Sequence, residues 1–207
     1  MPFIQDLIKE GWLKTPRIIE AFQKIKRADF LPLDIKNLAE SNTALPIGFS
    51  QTISQSLVVA FMLEQLEPKS GEKILDIGSG SGWTSALLAE IVAPKGRVIA
   101  IEIIPELAEF GKKNAGKYKL PIQFICADGS KGYKDEAPYD KILASASVYP
   151  DKGGTKDIPL VWKKQLKVGG IIVAPVENSI WRIVKKSETR FEETEYPGFV
   201  FVPLISK

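Results

Sequence analysis

Histidine is absent from this chain of 207 residues, cysteine occurs once, and no apolar run is long enough to cross a bilayer. Each absence removes a class of function. Without an imidazole base, neither a serine nor a cysteine nucleophile of the histidine-activated kind can operate, and histidine-ligated zinc is excluded. Cys126 alone can form neither an internal disulfide nor a thiolate zinc site, so no metal is expected. Its setting, Ile122-Gln-Phe-Ile-Cys-Ala127, reads as a buried strand. The opening Met1-Pro-Phe-Ile-Gln-Asp has no basic segment followed by an apolar core, so no membrane association and a cytoplasmic location are expected. A dominant charge is missing too. With 28 basic and 25 acidic side chains the net charge is +3, and no nucleic-acid partner is expected. The cluster Lys112, Lys113, Lys117 and Lys119 reads as the solvated face of a helix. Any chemistry must therefore use carboxylates, hydroxyls, lysines, backbone groups or an organic cofactor.

The 44% hydrophobic and 26% charged content suits a single globular domain spanning 1–207, expected to be a monomer. Apolar runs at 73–77, 97–103, 122–127, 139–144 and 170–175 alternate with helical patterns at 83–91, 105–115 and 159–166. This rhythm predicts an α/β fold with a mostly parallel sheet covered on both faces. Two more runs, 180–186 and 198–205, flank the charged stretch Ser187–Glu195. They are expected to form an antiparallel pair at the sheet edge, making seven strands. Residues 3–10 and 15–26 read as amphipathic N-terminal helices, with Ile18, Ile19, Phe22 and Ile25 on one face of the second. A natural division is 1–68, carrying these helices, and 69–207, the α/β core.

The richest segment is Lys73-Ile-Leu-Asp-Ile-Gly-Ser-Gly-Ser-Gly-Trp83, followed by Arg97-Val-Ile-Ala-Ile-Glu102. It reads as strand, glycine turn, helix, strand, acid. Gly78, Gly80 and Gly82 allow a tight reversal and a close backbone approach to a ligand. Glu102, twenty positions after Gly82, suits a carboxylate that accepts from both ribose hydroxyls. The spacing is G-x-G-x-G and not the G-x-G-x-x-G of dinucleotide sites. Asp76 would repel a pyrophosphate but attract the ammonium and sulfonium of S-adenosylmethionine. The balance favours a methyl donor over a packing turn.

A second constellation lies upstream, where Leu45-Pro-Ile-Gly-Phe-Ser-Gln-Thr-Ile-Ser-Gln-Ser56 leads into the apolar helix 57–66. Ser54 or Gln55 could simply cap that helix. Alternatively, hydroxyls and free N–H groups at a helix start can receive a carboxylate. Pro46-Ile-Gly-Phe-Ser-Gln-Thr-Ile-Ser-Gln55, Ile74-Leu-Asp-Ile-Gly-Ser-Gly-Ser-Gly82, Ile101-Glu-Ile103, Ala127-Asp-Gly129 and Val202-Pro-Leu204, with Arg27-Ala-Asp-Phe-Leu-Pro32 before them, together resemble the protein-L-isoaspartate O-methyltransferase family. The resemblance implies a Rossmann-like class I methyltransferase fold. It further implies methyl transfer from S-adenosylmethionine to the α-carboxylate of L-isoaspartyl residues in damaged proteins and peptides. On this resemblance Ser54 is the active-site serine, positioning the acceptor with Gln51 and Ser145. Asp76, Gly78, Ser79, Gly80, Gly82, Glu102, Ile103, Asp128 and Gly129 hold the cofactor, with Asp128 accepting from the adenine amine and Thr52 and Ile53 approaching through their backbone.

Three segments depart from the family pattern. Ala144-Ser-Ala-Ser147 is followed by a longer loop, 148–157. Glu177 stands where the family has a glycine, and 38–44 lacks an A-Y-x-D pattern. These leave open a different acceptor, such as a modified peptide, a small carboxylate or tRNA, or a non-catalytic module that recognises damaged protein.

Overall fold

The computed structural model describes residues 2–149 and 158–206. Seven strands form one sheet: β3 (Lys73–Ile77), β4 (Arg97–Glu102), β5 (Ile122–Cys126), β6 (Tyr139–Ala144), β7 (Leu166–Val176), β8 (Ser179–Lys185) and β9 (Phe191–Pro197). Their order is β5-β4-β3-β6-β7-β8-β9. The pairings from β5 through β7 are parallel, and β8 and β9 close the far edge antiparallel. This is the expected Rossmann-like sheet.

Alternation along the central strands explains why both faces are covered. Ile74, Val98 and Leu143 join one buried cluster, while their neighbours Leu75, Ile99 and Ile142 join another, and all six are fully buried. Central parallel strands of this kind must shed water on both sides. The first cluster also takes in α1 (Pro2–Lys9), α2 (Pro16–Lys24), α3 (Ser56–Leu66), α4 (Trp83–Val92) and α5 (Pro105–Gly116). The second takes in Trp162 of α6 (Leu160–Gln165), whose indole N–H donates to the Gly129 carbonyl at 2.9 Å. On α2, Ile18, Phe22 and Ile25 are buried and Ile19 is half-buried, as its periodicity predicts.

The chain winds from β3 outward to β5, then returns to place β6 on the other side of β3. Strand order therefore reverses between β3 and β6. The crevice at the carboxyl ends of such a reversal is where open α/β sheets bind ligands.

Two expectations are corrected. The antiparallel edge partner of β8 is the charged stretch 191–197, not 198–205. Lys186 and Ser187 N–H donate to the Arg190 carbonyl and close a short turn, so the chain folds back at once. Glu192, Glu193 and Glu195 are tolerated in β9 because an edge strand keeps its side chains in water, and charge there discourages further pairing. The apolar run 198–205 instead crosses in front of the sheet as a strap. It is held by Gly198 and Phe199 N–H on the Asn178 carbonyl, by Ser147 N–H on Val202 O, and by Leu204 N–H on Ser147 O. Cys126 is the second correction, being exposed and not buried. It ends β5, the outer strand of the sheet, where no neighbour covers it.

The missing glycine at 177 also has a structural reading. Glu177 sits in the two-residue turn between β7 and β8 with φ of 52°, the left-handed conformation that glycine adopts without strain. Its backbone stays engaged, with its N–H on Val148 O and its carbonyl accepting from Ser147 Oγ. The 148–157 loop, from residue 150 onward, lies outside the described residues. Glu177→Gly is expected to raise the unfolding free energy by about 1 kcal/mol in urea titrations, by relieving left-handed strain without loss of fold.

Candidate active site

Strand β3 delivers the chain into a glycine loop whose hydrogen bonds all turn inward. Gly78 and Ser79 N–H both donate to the Ile101 carbonyl at 2.9 and 3.0 Å, which locks the loop onto β4. Glu102, at the end of β4, accepts from Gly80 N–H at 2.9 Å and from Ile104 N–H at 3.0 Å. An ionised carboxylate has about four lone-pair sites, so both oxygens can still receive hydroxyls. A Cβ on Gly80 would come within 3.2 Å of Ile47 Cδ1, narrowing the gap between the loop and the upstream hairpin.

In front of this loop opens a cleft of about 700 Å³. Ser79, Gly80, Glu102, Ile103 and Gly129 line it, as does Gly78. From the hairpin formed by β1 (Leu45–Gly48) and β2 (Gln51–Ile53) come Gln51, Thr52 and Ile53, then Ser54; Ser145 faces them. A second cavity, of about 690 Å³, adjoins the first and is lined by Ala44, Gln55, Val58 and the strap residues Val200 and Phe201. Thr52, Ser54, Ser145 and Val202 line both. Among the described residues, Glu102 is the only ionisable side chain in either wall. One compartment thus carries a carboxylate; the other offers hydroxyls and amides.

Three expected residues stand outside the cavity walls. Asp76 is fully buried and faces α4, because strand alternation turns it away from Ile77. Its Oδ2 accepts from Ser85 Oγ at 2.5 Å, while Oδ1 has no partner. Burial pushes its carboxyl up to about 7, against the Ser85 hydrogen bond and with Glu102 adding a smaller push. Gly82 serves packing: a Cβ there would lie 2.7 Å from the Gly111 carbonyl, where α5 crosses the start of α4. Asp128 spends its Oδ1 on Ser130 N–H at 3.0 Å and Ser130 Oγ at 2.6 Å, capping the 3₁₀ turn Gly129–Lys131. That cap sets Gly129 into the cleft, where a Cβ would meet Ile77 Cγ2 at 2.5 Å.

The upstream hairpin turns through Phe49 and Ser50, both with positive φ, and leads into α3. Neither Ser54 nor Gln55 caps α3 through its side chain. Asn42, fifteen residues away from it, accepts from Leu57 N–H at 3.0 Å in that role. Arg27 reaches the same junction. It is buried and donates to the carbonyls of Ala39 at 3.2 Å, Ser41 at 2.8 Å, Thr43 at 2.7 Å and Ser54 at 3.1 Å.

The strap residues Val200–Ile205 and Ile47 were not singled out as site residues in the sequence. Their apolar character was the available signal, but it reads equally as strand or core. Val202–Leu204 belongs to the family-like motif without carrying a role of its own there.

Comparison with known proteins agrees with this geometry. The model of the family described as protein-L-isoaspartate(D-aspartate) O-methyltransferase matches residues 2–207. A protein-L-isoaspartate O-methyltransferase of Methanopyrus kandleri is 40% identical over 99% of this chain and 90% of its own. One from Ignicoccus hospitalis is 41% identical over 99% and 96%. Among solved structures, a Plasmodium falciparum protein described by the same activity, in complex with S-adenosyl-L-homocysteine, superposes with a TM-score of 0.85. It covers 100% of this chain and 98% of that one at 19% identity, a likeness of fold.

Two outcomes follow for the buried groups. Because Asp76 is held protonated up to about pH 7 in the fold but ionises near 4 when unfolded, its contribution to stability is full below pH 4 and lost as pH rises through 7. Asp76→Asn is therefore expected to gain on the parent by a few kcal/mol (order of magnitude) between pH 4 and pH 8, read from urea midpoints across that range. Asn42→Ala should cost about 1 kcal/mol in the same titration at pH 7, through loss of the α3 cap.

Proposed function

The chain belongs to the protein-L-isoaspartate(D-aspartate) O-methyltransferase family, and on that premise we propose that it moves a methyl group from S-adenosylmethionine to the α-carboxylate of L-isoaspartyl residues in damaged proteins and peptides. The observation that carries this reading is the meeting of two unlike cavities at Thr52, Ser54 and Ser145. A cationic donor and an anionic acceptor call for this pairing of a carboxylate-bearing compartment with one that holds no negative side chain.

The residues present fit the cofactor. Ser79 Oγ is buried in the cleft wall without a partner, and Gly80 leaves its backbone open to close approach. Glu102 has lone pairs free for ribose hydroxyls, and Gly78, Ser79 and Gly80 form the cradle for the methionine end. Ile103 and Gly129 line the base end, while Thr52, Ile53 and Ser54 close the cleft from the hairpin. Asp76 and Asp128 support this cradle from behind, Asp76 by tying the end of β3 to Ser85 of α4 and Asp128 by setting Gly129. Gly82 supports it by letting α4 start against α5. When bound, S-adenosylmethionine supplies a methyl carbon activated by its sulfonium.

The protein's own task is then placement. An α-carboxylate is ionised at neutral pH and needs no general base, which is how a chain without histidine can perform the reaction. Ser54 Oγ donates to the acceptor carboxylate, Ser145 and Gln51 help fix it, and the strap excludes water. Residues 1–68 and 69–207 act as one domain, the first supplying the acceptor hairpin and the second the cofactor cradle. No described helix is long and apolar enough to cross a membrane, and with the lone cysteine this supports work in the cytoplasm.

The deciding assay pairs an isoaspartyl peptide with its aspartyl twin and methyl-labelled S-adenosylmethionine, reading base-labile methanol. Label in the first peptide alone is expected; equal label in both would move the acceptor elsewhere. Ser54→Ala should cut turnover roughly tenfold to a hundredfold, with S-adenosylhomocysteine affinity by calorimetry unchanged. A collapse of that affinity would remove Ser54 from the acceptor role.

A further inference from the structure

The acceptor compartment must hold an anion, yet among the described residues neither cavity wall contains a lysine or arginine. Arg27 lies behind the wall and is tied to it through the Ser54 carbonyl. The residue is 3% exposed, and its hydrogen-bond partners are four backbone carbonyls with no carboxylate among them. A buried cation bonded to dipoles, here with its Nε–H left without an acceptor among the described residues, keeps its field where no counter-charge is bonded to it. Burial lowers its pKa only to about 10, so the group is charged at neutral pH.

One of those carbonyls belongs to Ser54, the residue placed against the acceptor. A trans peptide is planar, with C=O and N–H pointing in opposite directions. Drawing the Ser54 carbonyl onto Arg27 at 3.1 Å therefore turns the Gln55 N–H away from Arg27. No described residue accepts from that N–H, and Gln55 lines the acceptor cavity. We propose that Arg27 is a positioning residue for the acceptor: through the Ser54–Gln55 peptide it aims a polarised N–H at the isoaspartyl carboxylate and supplies a positive potential that the described residues of the cavity wall lack.

This inference rests on the isoaspartyl reaction assigned above, and it predicts a property of binding and not only of folding. The carboxylate should be preferred over its neutral isostere because of Arg27. Binding is measured by calorimetry with saturating S-adenosylhomocysteine, for an isoaspartyl peptide and for the same peptide carrying an α-carboxamide. The parent should favour the acid, and Arg27→Gln should reduce the acid-over-amide ratio about tenfold, as loss of a charge-assisted contact would. Arg27→Lys, which keeps the charge but cannot fork across four carbonyls, should raise KM for the acid about tenfold with kcat within about threefold. S-adenosylhomocysteine affinity, checked in both variants, reports on the folded cradle.

An Arg27→Gln protein that binds S-adenosylhomocysteine normally and keeps the parental acid-over-amide ratio overturns the inference. If that variant does not fold, the lysine variant decides, and an unchanged KM overturns it. A parent that methylates the isoaspartyl peptide but binds acid and amide equally overturns the inference and leaves the reaction standing. A parent that methylates neither peptide sinks the reaction and the inference with it.

Discussion

A buried guanidinium bound only by carbonyls organises the front of this molecule. Arg27 lies in the 3₁₀ turn Arg27–Phe30, and its two terminal nitrogens, Nη1 and Nη2, collect the irregular chain from 39 to 43 and the end of the acceptor hairpin, while its buried Nε–H has no acceptor among the described residues. Its other face lies over the Trp83 ring, 5.4 Å from guanidinium carbon to centroid. Trp83 is the first residue of α4, directly after Gly82, and packs edge-on against Phe22 of α2 at 5.7 Å. One side chain therefore connects the N-terminal helices, the acceptor hairpin and the glycine loop. Lysine could not do this, since a single ammonium has three donors and no flat face to lay on an indole.

The second constraint is Glu102. It accepts from the backbone on either side of the cleft floor, at Gly80 and Ile104, and so fixes β3's loop against the turn that starts α5. Its charge acts twice. It faces the cleft where a cation is to be held, and it adds to the burial that keeps Asp76 protonated toward neutral pH. Holding the buried Asp76 carboxyl protonated toward neutral pH spares the loop a pair of buried anions side by side, which would repel.

Strand periodicity and the glycine turn made the central sheet legible in the sequence, because the inner parallel strands, buried on both faces along most of their length, need unbroken aliphatic runs. Motifs fixed positions along the chain, but not the directions of side chains. Asp76, Gly82 and Asp128 belong to the right loops yet stand behind the wall, since alternation, helix crossing and a local cap consume them. The edge was misread for a related reason. Hydrophobicity marks what is covered: in 198–205 it marks a strap lying over a site, while β9 beside it is almost entirely in water and carries charge. Arg27 was visible as a residue of a motif. That it is buried without a counter-charge depends on four carbonyls brought together by tertiary structure, which no local pattern encodes.

The departures from the family pattern converge on the strap. Ser147 sits between it and the β7–β8 turn, receiving Leu204 N–H, donating its own N–H to Val202 and giving its hydroxyl to the Glu177 carbonyl. Asn178, the next residue in that turn, holds the start of the strap through Gly198 and Phe199. The turn at 177–178 thus anchors both ends of the segment that walls off the acceptor cavity. A carboxylate is a poor nucleophile while hydrated, so this wall matters as much as any donor it faces. With no base to recruit, the reaction depends on how dry and how well oriented the acceptor is, and both are set largely by backbone contacts.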